Sequence, residues 1–241
     1  MILLFFLLVG ETSKKYAPIA AKNGCTVIDN SSTFRMDKNV PLVVPEVNSE
    51  DIELHKGIIA NPNCSTIQAV LPIKALDYKY NVKRIIYSTY QAVSGAGRLG
   101  IEDLENKTTN KFSYPIYNNC LPHIDIFLEN GYTKEEEKMI NETRKILHKP
   151  DLKITATCVR VPVLNCHCES INLEFENKFD IKDIYTTLEN FQNITVFDNP
   201  KENLYPIPTE ISGKDNIFVG RIRRDYSIKD GLNLCAMIIA G

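Results

Sequence analysis

The sequence predicts an α/β region followed by an α+β region, and three observations carry that reading. As far as residue 80, short apolar runs alternate with stretches whose apolar residues recur at helical spacing, the pattern of a parallel sheet with crossover helices. From Val82 onward, strand-like runs alternate apolar and polar residues and are joined by longer connections, as in a sheet half open to solvent. The composition supports a sizeable core, with 44% hydrophobic and 9% aromatic side chains in 241 residues. The boundary between the two patterns falls near Cys64.

Taken in order, residues 1–9 read as a central strand. Ser13 to Lys22 reads as a short helix with Pro18 near its middle and Asn23-Gly24 as its C-cap. Cys25–Asp29 is the next strand, Asn30–Thr33 a polar loop and Pro41–Val47 a further extended run. Ile58-Ile59-Ala60 is a short buried strand broken by Asn61-Pro62-Asn63. From Cys64, the apolar residues Ile67, Val70, Leu71, Ile73 and Leu76 mark a helix with Asn63 as its N-cap. Val82 to Ala92 is a strand ending at the Ser94–Gly97 turn, where backbone can approach a ligand closely. Residues 106–119 read as a loop. Thr133 to His148 is an amphipathic helix opened by Thr133, with Glu135 and Glu136 in its first turn and Pro150 as its stop. Leu152–Val163, Ser170–Phe175, Asn216–Arg223 and Leu232–Ala240 read as strands, and Asp180–Phe191 as a helix. No repeat or low-complexity tract interrupts this order. A nucleotide-binding unit normally opens with a strand and a Gly-rich phosphate turn, and no G-x-G-x-x-G precedes Ser13. The front of such a unit is therefore expected to be missing.

Several function classes are set aside by composition. The formal net charge is −2, and no basic cluster is interleaved with aromatics, so a nucleic-acid surface is not indicated. Seven cysteines at irregular spacing fit a reducing, cytoplasmic setting better than a disulfide scaffold. Residues 1–9 resemble the apolar core of a signal peptide but lack a basic flank and a small-residue cleavage site, and they are too short to span a bilayer. The sequons at Asn30, Asn63, Asn106, Asn141 and Asn193 matter only in a secreted chain.

Cys64 is the leading candidate for chemistry. In the first turn of its helix, a thiol faces unpaired backbone N–H groups and the positive end of the helix dipole, which favour a nucleophilic thiolate. The alternative is a small apolar residue in a strand–helix turn. Arg160 and His167 lie seven residues apart, with Pro162 and Asn165 between, so a strand and tight turn can bring both to one pocket. An edge-strand arginine and a satisfied histidine fit the same spacing. His55 and His148 sit beside lysines, and His123 lies in a Leu-Pro-His-Ile-Asp loop. Cys166-His167-Cys168 invites a metal reading, but no C-x-x-C or distant ligand pair completes a tetrahedron. Glu135 and Lys138 share a helix face, as a site pair or as a solvated ion pair. Arg35, after a Ser-rich loop, suits an anion or the surface.

Seven segments together resemble one family, the aspartate-semialdehyde dehydrogenases: VIDNSSTFRMD (27–37), PLVVPEVN (41–48), ANPNCSTIQ (60–68), STYQAVSGAG (88–97), ETRKIL (142–147), RVPVLNCH (160–167) and GRIRRD (220–225). The resemblance implies an incomplete Rossmann-like NADP-binding domain over 1–63, a mixed-sheet catalytic and dimerisation domain over 64–225, and a strand over 226–241 returning toward the NADP-binding domain. It implies reduction of L-aspartyl 4-phosphate by NADPH to L-aspartate 4-semialdehyde with release of phosphate. By that resemblance Cys64 is the nucleophile, His167 the general acid/base and Gln91 the residue holding the acyl group. Arg160 binds the substrate α-carboxylate and Glu135 its amine. Arg35, Asn63 and Lys138 form the phosphate site, and Ser94 and Gly95 lie near the nicotinamide. Backbone N–H groups at the start of the Cys64 helix are candidate oxyanion donors. A homodimer is implied, with no nucleic-acid, membrane or metal partner.

Relative to the family, the Gly-rich turn that cradles the cofactor phosphates is absent before Ser13. A βαβ unit takes roughly 30 residues, and at least one is expected to be missing, as is the long helix that follows the final strand. The cofactor site is therefore expected to be incomplete and NADPH binding weak. Three readings compete: the enzyme above, the related N-acetyl-glutamyl-phosphate reductase, and an inactive or secreted remnant.

Overall fold

The computed structural model of the chain describes residues 2–6 and 10–238. Three short strands, β1 (Ile2–Phe6), β2 (Cys25–Asp29) and β3 (Ile58–Ala60), form a parallel sheet in that order. Its register sets Leu4 beside Val27 and Val27 beside Ile58. Helix α1 (Gly10–Lys22) crosses from β1 to β2 and buries Ala17. It begins three residues before the expected Ser13, so Glu11 occupies its first turn, where a carboxylate complements the helix dipole. The expected start of the opening strand is seen in β1, while residues 7–9 lie outside the described residues.

The run Pro41–Val47 is not the strand its composition suggested. It gives a single bridge, Leu42 to Ala60, and then turns into the short helix α2 (Pro45–Asn48). Pro45 suits the first helical position because its φ is already fixed. Asn48, fully buried, then bends the chain: its side chain accepts from Val44 N–H at 2.9 Å and donates to Leu42 O at 2.9 Å and to Asp51 at 2.7 Å.

Helix α3 (Cys64–Tyr80) is capped by Asn63, whose Oδ1 accepts from Ser65 N–H at 2.9 Å and Thr66 N–H at 3.4 Å. Ala69, Val70, Ile73 and Leu76 are all fully buried, because α3 packs against the large sheet and the helices on that face. The large sheet follows: β4 (Val82–Gln91), helix α4 (Arg98–Asn106), helix α5 (Lys134–Ile146), β5 (Lys153–Arg160), β6 (His167–Phe175), helix α6 (Ile181–Glu189), β7 (Ile194–Val196), helix α7 (Pro208–Ile211), β8 (Ile217–Asp225) and β9 (Gly231–Ile238). The spatial order is β5-β4-β6-β9-β8-β7. β4 runs parallel to β5 and antiparallel to β6. One face buries Ile85, Tyr87, Ile171, Leu173, Leu232 and Leu234 in the same core as α3, α5 and α6. The opposite face presents Ser88, Ser170 and Asn172, half-buried, as alternation requires.

Three further differences from expectation have physical causes. β6 begins at His167 rather than Ser170, because β9 pairs with it along its full length, from Ile238 opposite His167 to Gly231 opposite Glu174. Within the described residues, the segment expected to return toward the first domain is this β9, held between β6 and β8 inside the large sheet; Ile239 and Ala240 lie outside the described residues. The helix α4 went unread in a polar stretch; buried Asp103 within it gathers the following loop, accepting from Thr108 Oγ1 at 2.6 Å and from the N–H groups of Asn110 and Lys111 at 2.7 Å.

Candidate active site

Cys64 stands at the mouth of a cleft of about 750 Å³ between α3, α5 and the C-terminal ends of β4 and β5. Arg35, Asn63, Gln91, Gly95, Glu135, Lys138, Arg160 and His167 line the same cleft, with Asp125 and His123 from the 121–127 loop. Nine of the ten sequence-selected side chains or backbones thus converge on one place. Ser94 lies just behind the lining, in a turn whose N–H bonds Leu164 O at 3.1 Å. His55 and His148 stand apart from the cleft, His148 within 3.2 Å of Asp51.

Arg160 ends β5 and His167 begins β6, with β4 between them. Both are drawn together by Ala92, the residue after β4. The Ala92 N–H donates to His167 Nδ1 at 2.9 Å, and Arg160 Nη1 donates to Ala92 O at 2.6 Å. Gly95 passes close over both: a Cβ there would lie 2.9 Å from His167 Nε2 and 3.3 Å from Arg160 Nη1. The absence of a side chain at Gly95 keeps the imidazole edge and guanidinium open to the cleft. His167 and Arg160 are 1% and 5% exposed.

Glu135 is the hub of the opposite wall, and not a solvated partner of Lys138. Its Oε1 accepts from Asn63 Nδ2 at 2.9 Å and from Gln91 Nε2 at 3.2 Å, and its Oε2 from Lys138 Nζ at 3.2 Å. Lys138 also reaches Asp125 at 2.7 Å. Glu142 was part of a matching segment but was given no role. Buried at 1%, it pairs with Arg35 at 3.0 Å and accepts the Asn63 N–H at 2.6 Å, so it ties the first domain to the N-cap of α3. Two other residues were missed. Ser65 Oγ accepts the Gln91 amide, and the fully buried Glu169 accepts from Gln68, one turn beyond Cys64.

Electrostatics corrects the expectation of a primed thiolate. Burial, then the Glu135 carboxylate, outweighs the Ser65 N–H, and the Cys64 thiol is pushed up to about 11. Burial, then the adjacent Arg160, pushes His167 down to about 3, so the imidazole is neutral. Burial also holds Glu169 well above the usual carboxylate range. The acyl end of the cleft is thus uncharged apart from Arg160 and Glu135. Of the expected oxyanion donors at the helix start, those of Ser65 and Thr66 are turned to Asn63 Oδ1, at 2.9 and 3.4 Å.

A second groove of about 640 Å³ continues from the first past Ser32, Arg35 and Lys138, lined by Gly10, Glu11, Lys14 and Thr33. It lies at the carboxyl ends of the parallel strands β1 and β2 and the start of α1, where open α/β sheets hold nucleotides. Its cations Lys14 and Arg35 suit phosphate, and the side-chain-free Gly95 suits a flat ring beside His167. The residues present therefore fit a dinucleotide. Among the described residues, no group of three His, Cys, Asp or Glu is placed to hold a metal ion, and no helix is long and apolar enough to cross a membrane.

Known proteins place this geometry in a family. Residues 1–55 match the family described as semialdehyde dehydrogenase, NAD binding domain, and residues 73–238 its dimerisation domain. The chain is 52% identical over 238 residues to the aspartate-semialdehyde dehydrogenase of Aquifex aeolicus, covering 93% of this chain and 70% of that one. It superposes on the aspartate semialdehyde dehydrogenase II of Vibrio cholerae complexed with ASA with a TM-score of 0.96, at 42% identity, over 99% of this chain and 74% of that one. The Candida albicans enzyme with NADP gives a TM-score of 0.79 at 26% identity, over 98% and 72% of the two chains. With relatives of this identity and coverage, the chain belongs to the aspartate-semialdehyde dehydrogenase family.

Proposed function

We propose that this chain carries out the reductive dephosphorylation of L-aspartyl 4-phosphate to L-aspartate 4-semialdehyde with NADPH, through a thioester on Cys64. The observation that supports it most is the convergence of Cys64, His167, Arg160 and Glu135 on one cleft, with an anion-suited end at Arg35 and Lys138. In this reading Arg160 receives the α-carboxylate in a planar fork and Glu135 the ammonium, which fixes the two charges of an amino acid against opposite walls. That orientation sets the acyl carbon before the Cys64 sulfur and the phosphate toward Asn63, Arg35 and Lys138. The S–C bond forms as the C–O bond to phosphate breaks. One difficult displacement becomes two easier ones. His167 serves the tetrahedral centres as acid/base, and Gln91 borders the acyl group. NADPH, when bound, supplies the hydride that reduces the thioester. The phosphate leaves before that step, so the cleft must hold two anionic ligands in succession. We further propose a homodimer formed through the 73–238 domain.

The test is mass spectrometry of the chain mixed with L-aspartyl 4-phosphate without NADPH. An aspartyl adduct on Cys64, discharged to semialdehyde when NADPH is added, is expected. An unmodified Cys64, with N-acetyl-glutamyl phosphate acylating it instead, would replace this reading with the related reductase.

A further inference from the structure

Resting on the reading above, we infer that Lys145 is a positioning residue for the phosphate end of the cleft. Its ammonium gathers three carbonyls of the 35–40 loop and so sets the Arg35 guanidinium where an anion meets it.

Residues 31–40, between β2 and the Leu42 bridge, belong to no strand or helix, yet they supply Arg35, which lines both grooves. Such a segment keeps one conformation only where its backbone groups find partners. Lys145 is that partner. Its Nζ donates to Arg35 O, Asp37 O and Val40 O, each at 2.8 Å. An ammonium has three donors and no acceptor, so three carbonyls around one point satisfy it completely. The loop is curled for this purpose: Asp37 N–H bonds Phe34 O at 3.0 Å, and Val40 N–H bonds Asp37 O at 3.3 Å. Lys145 is half-buried, and its charge is spent on main chain rather than on a carboxylate.

The same helix holds the other end of residue 35. Glu142, one turn before Lys145 on α5, accepts from Arg35 Nη1 at 3.0 Å, while Asn30 O accepts from Nη2 at 2.9 Å. Two guanidinium N–H groups are thereby engaged, and the others remain for an anion. Arg35 is thus gripped through its backbone by Lys145 and through its side chain by Glu142. Glu135, Lys138, Glu142 and Lys145 recur every three or four residues and share one face of α5. The first two line the cleft, and the last two hold Arg35. Arg35 lies in the stretch matched by the NAD binding domain and α5 in that matched by the dimerisation domain. One rigid helix therefore fixes where the anion ligand of one domain stands relative to Lys138 of the other.

The experiment titrates the whole chain with inorganic phosphate by calorimetry, at a temperature where circular dichroism shows each variant folded. Lys145→Met keeps the apolar stem and removes the donors, and phosphate binding is expected to weaken about tenfold. KM for the acyl phosphate is expected to rise by about the same factor, with kcat lowered less than about threefold. Lys145→Arg keeps the charge but offers a flat fork to three carbonyls around one point, so a loss of about threefold or more is expected there too. A Lys145→Met chain with a lowered urea midpoint and unaltered phosphate affinity overturns the inference, since the lysine would then serve stability alone. Parent affinity in Lys145→Arg also overturns it, leaving charge as the only contribution. Should Lys145→Met fail to fold, Lys145→Arg decides alone by the same criterion. A parent chain that binds no phosphate overturns both the inference and the phosphate site. Phosphate binding that depends on Lys145 in a chain never acylated at Cys64 overturns the functional reading and upholds the inference.

Discussion

At the Arg35 end of the cleft a guanidinium meets the Glu142 carboxylate at 3.0 Å, and Lys138 meets Asp125 at 2.7 Å and Glu135 at 3.2 Å. At the Cys64 end a thiol, an imidazole and the Glu169 carboxyl are instead kept uncharged by burial. The first end stores fixed, paired charge ready for an anion. The second keeps these three groups neutral beside Arg160 and Glu135. Burial acts at both ends and raises Glu142 as well, but there Arg35 and the Asn63 N–H oppose it. Glu169 and His167 lack an opposing charge partner of that kind, so the two ends answer differently to mutation and pH.

The largest separation of the two ends comes from the nucleophile itself. Cys64→Ser is expected to lower turnover by about 10⁴-fold or more, with the thermal midpoint unchanged, since a hydroxyl replaces a thiol at a partly exposed site. Steady-state rates and a melting curve check both halves. Arg160→Lys comes next. A point charge cannot replace the fork that holds Ala92 O and would hold a carboxylate, so kcat/KM should fall about 10²–10³-fold, chiefly through KM. A loss confined to kcat would contradict the assigned role.

At the paired end, Glu142→Ala should cost about 3 kcal/mol in urea denaturation, because it leaves Arg35 buried without a counter-ion and the Asn63 N–H without its acceptor. Adding Arg35→Ala should restore part of that loss. The smallest effect distinguishes the ends by pH. Glu169 titrates well above its ordinary 4.5. Between 4.5 and its raised value the folded chain keeps a proton that the unfolded chain has released, so stability falls as pH rises. Glu169→Gln removes that slope. The variant should match the parent near pH 5 and exceed it at pH 8 in denaturation midpoint.

The sequence exposes features that are local and hides those that are not. Asn63 and Cys64 were legible because a strand, an Asn-Pro-Asn break and a helix are neighbours in the chain. The Thr133 capping box was legible for the same reason, and the structure completes it with Glu136. Glu142 was not assigned a role, because its partners Asn63 and Arg35 are 79 and 107 residues away. Ala92 carries no signal at all: its contribution is an N–H and a carbonyl, and any side chain has those. The thiolate expectation failed because a helix dipole can be read from sequence whereas burial and the position of Glu135 cannot. Pro41–Val47 looked extended by composition, but Asn48 supplied a buried bend that only its tertiary contacts reveal.

Alkylation of Cys64 as a function of pH tests most directly whether the resting pair is a neutral thiol beside a neutral imidazole. Iodoacetamide labelling, followed by peptide mass, should rise through pH 9 and reach its midpoint at about 11. A plateau already present at pH 7, the signature of a preformed thiolate–imidazolium pair, would contradict it.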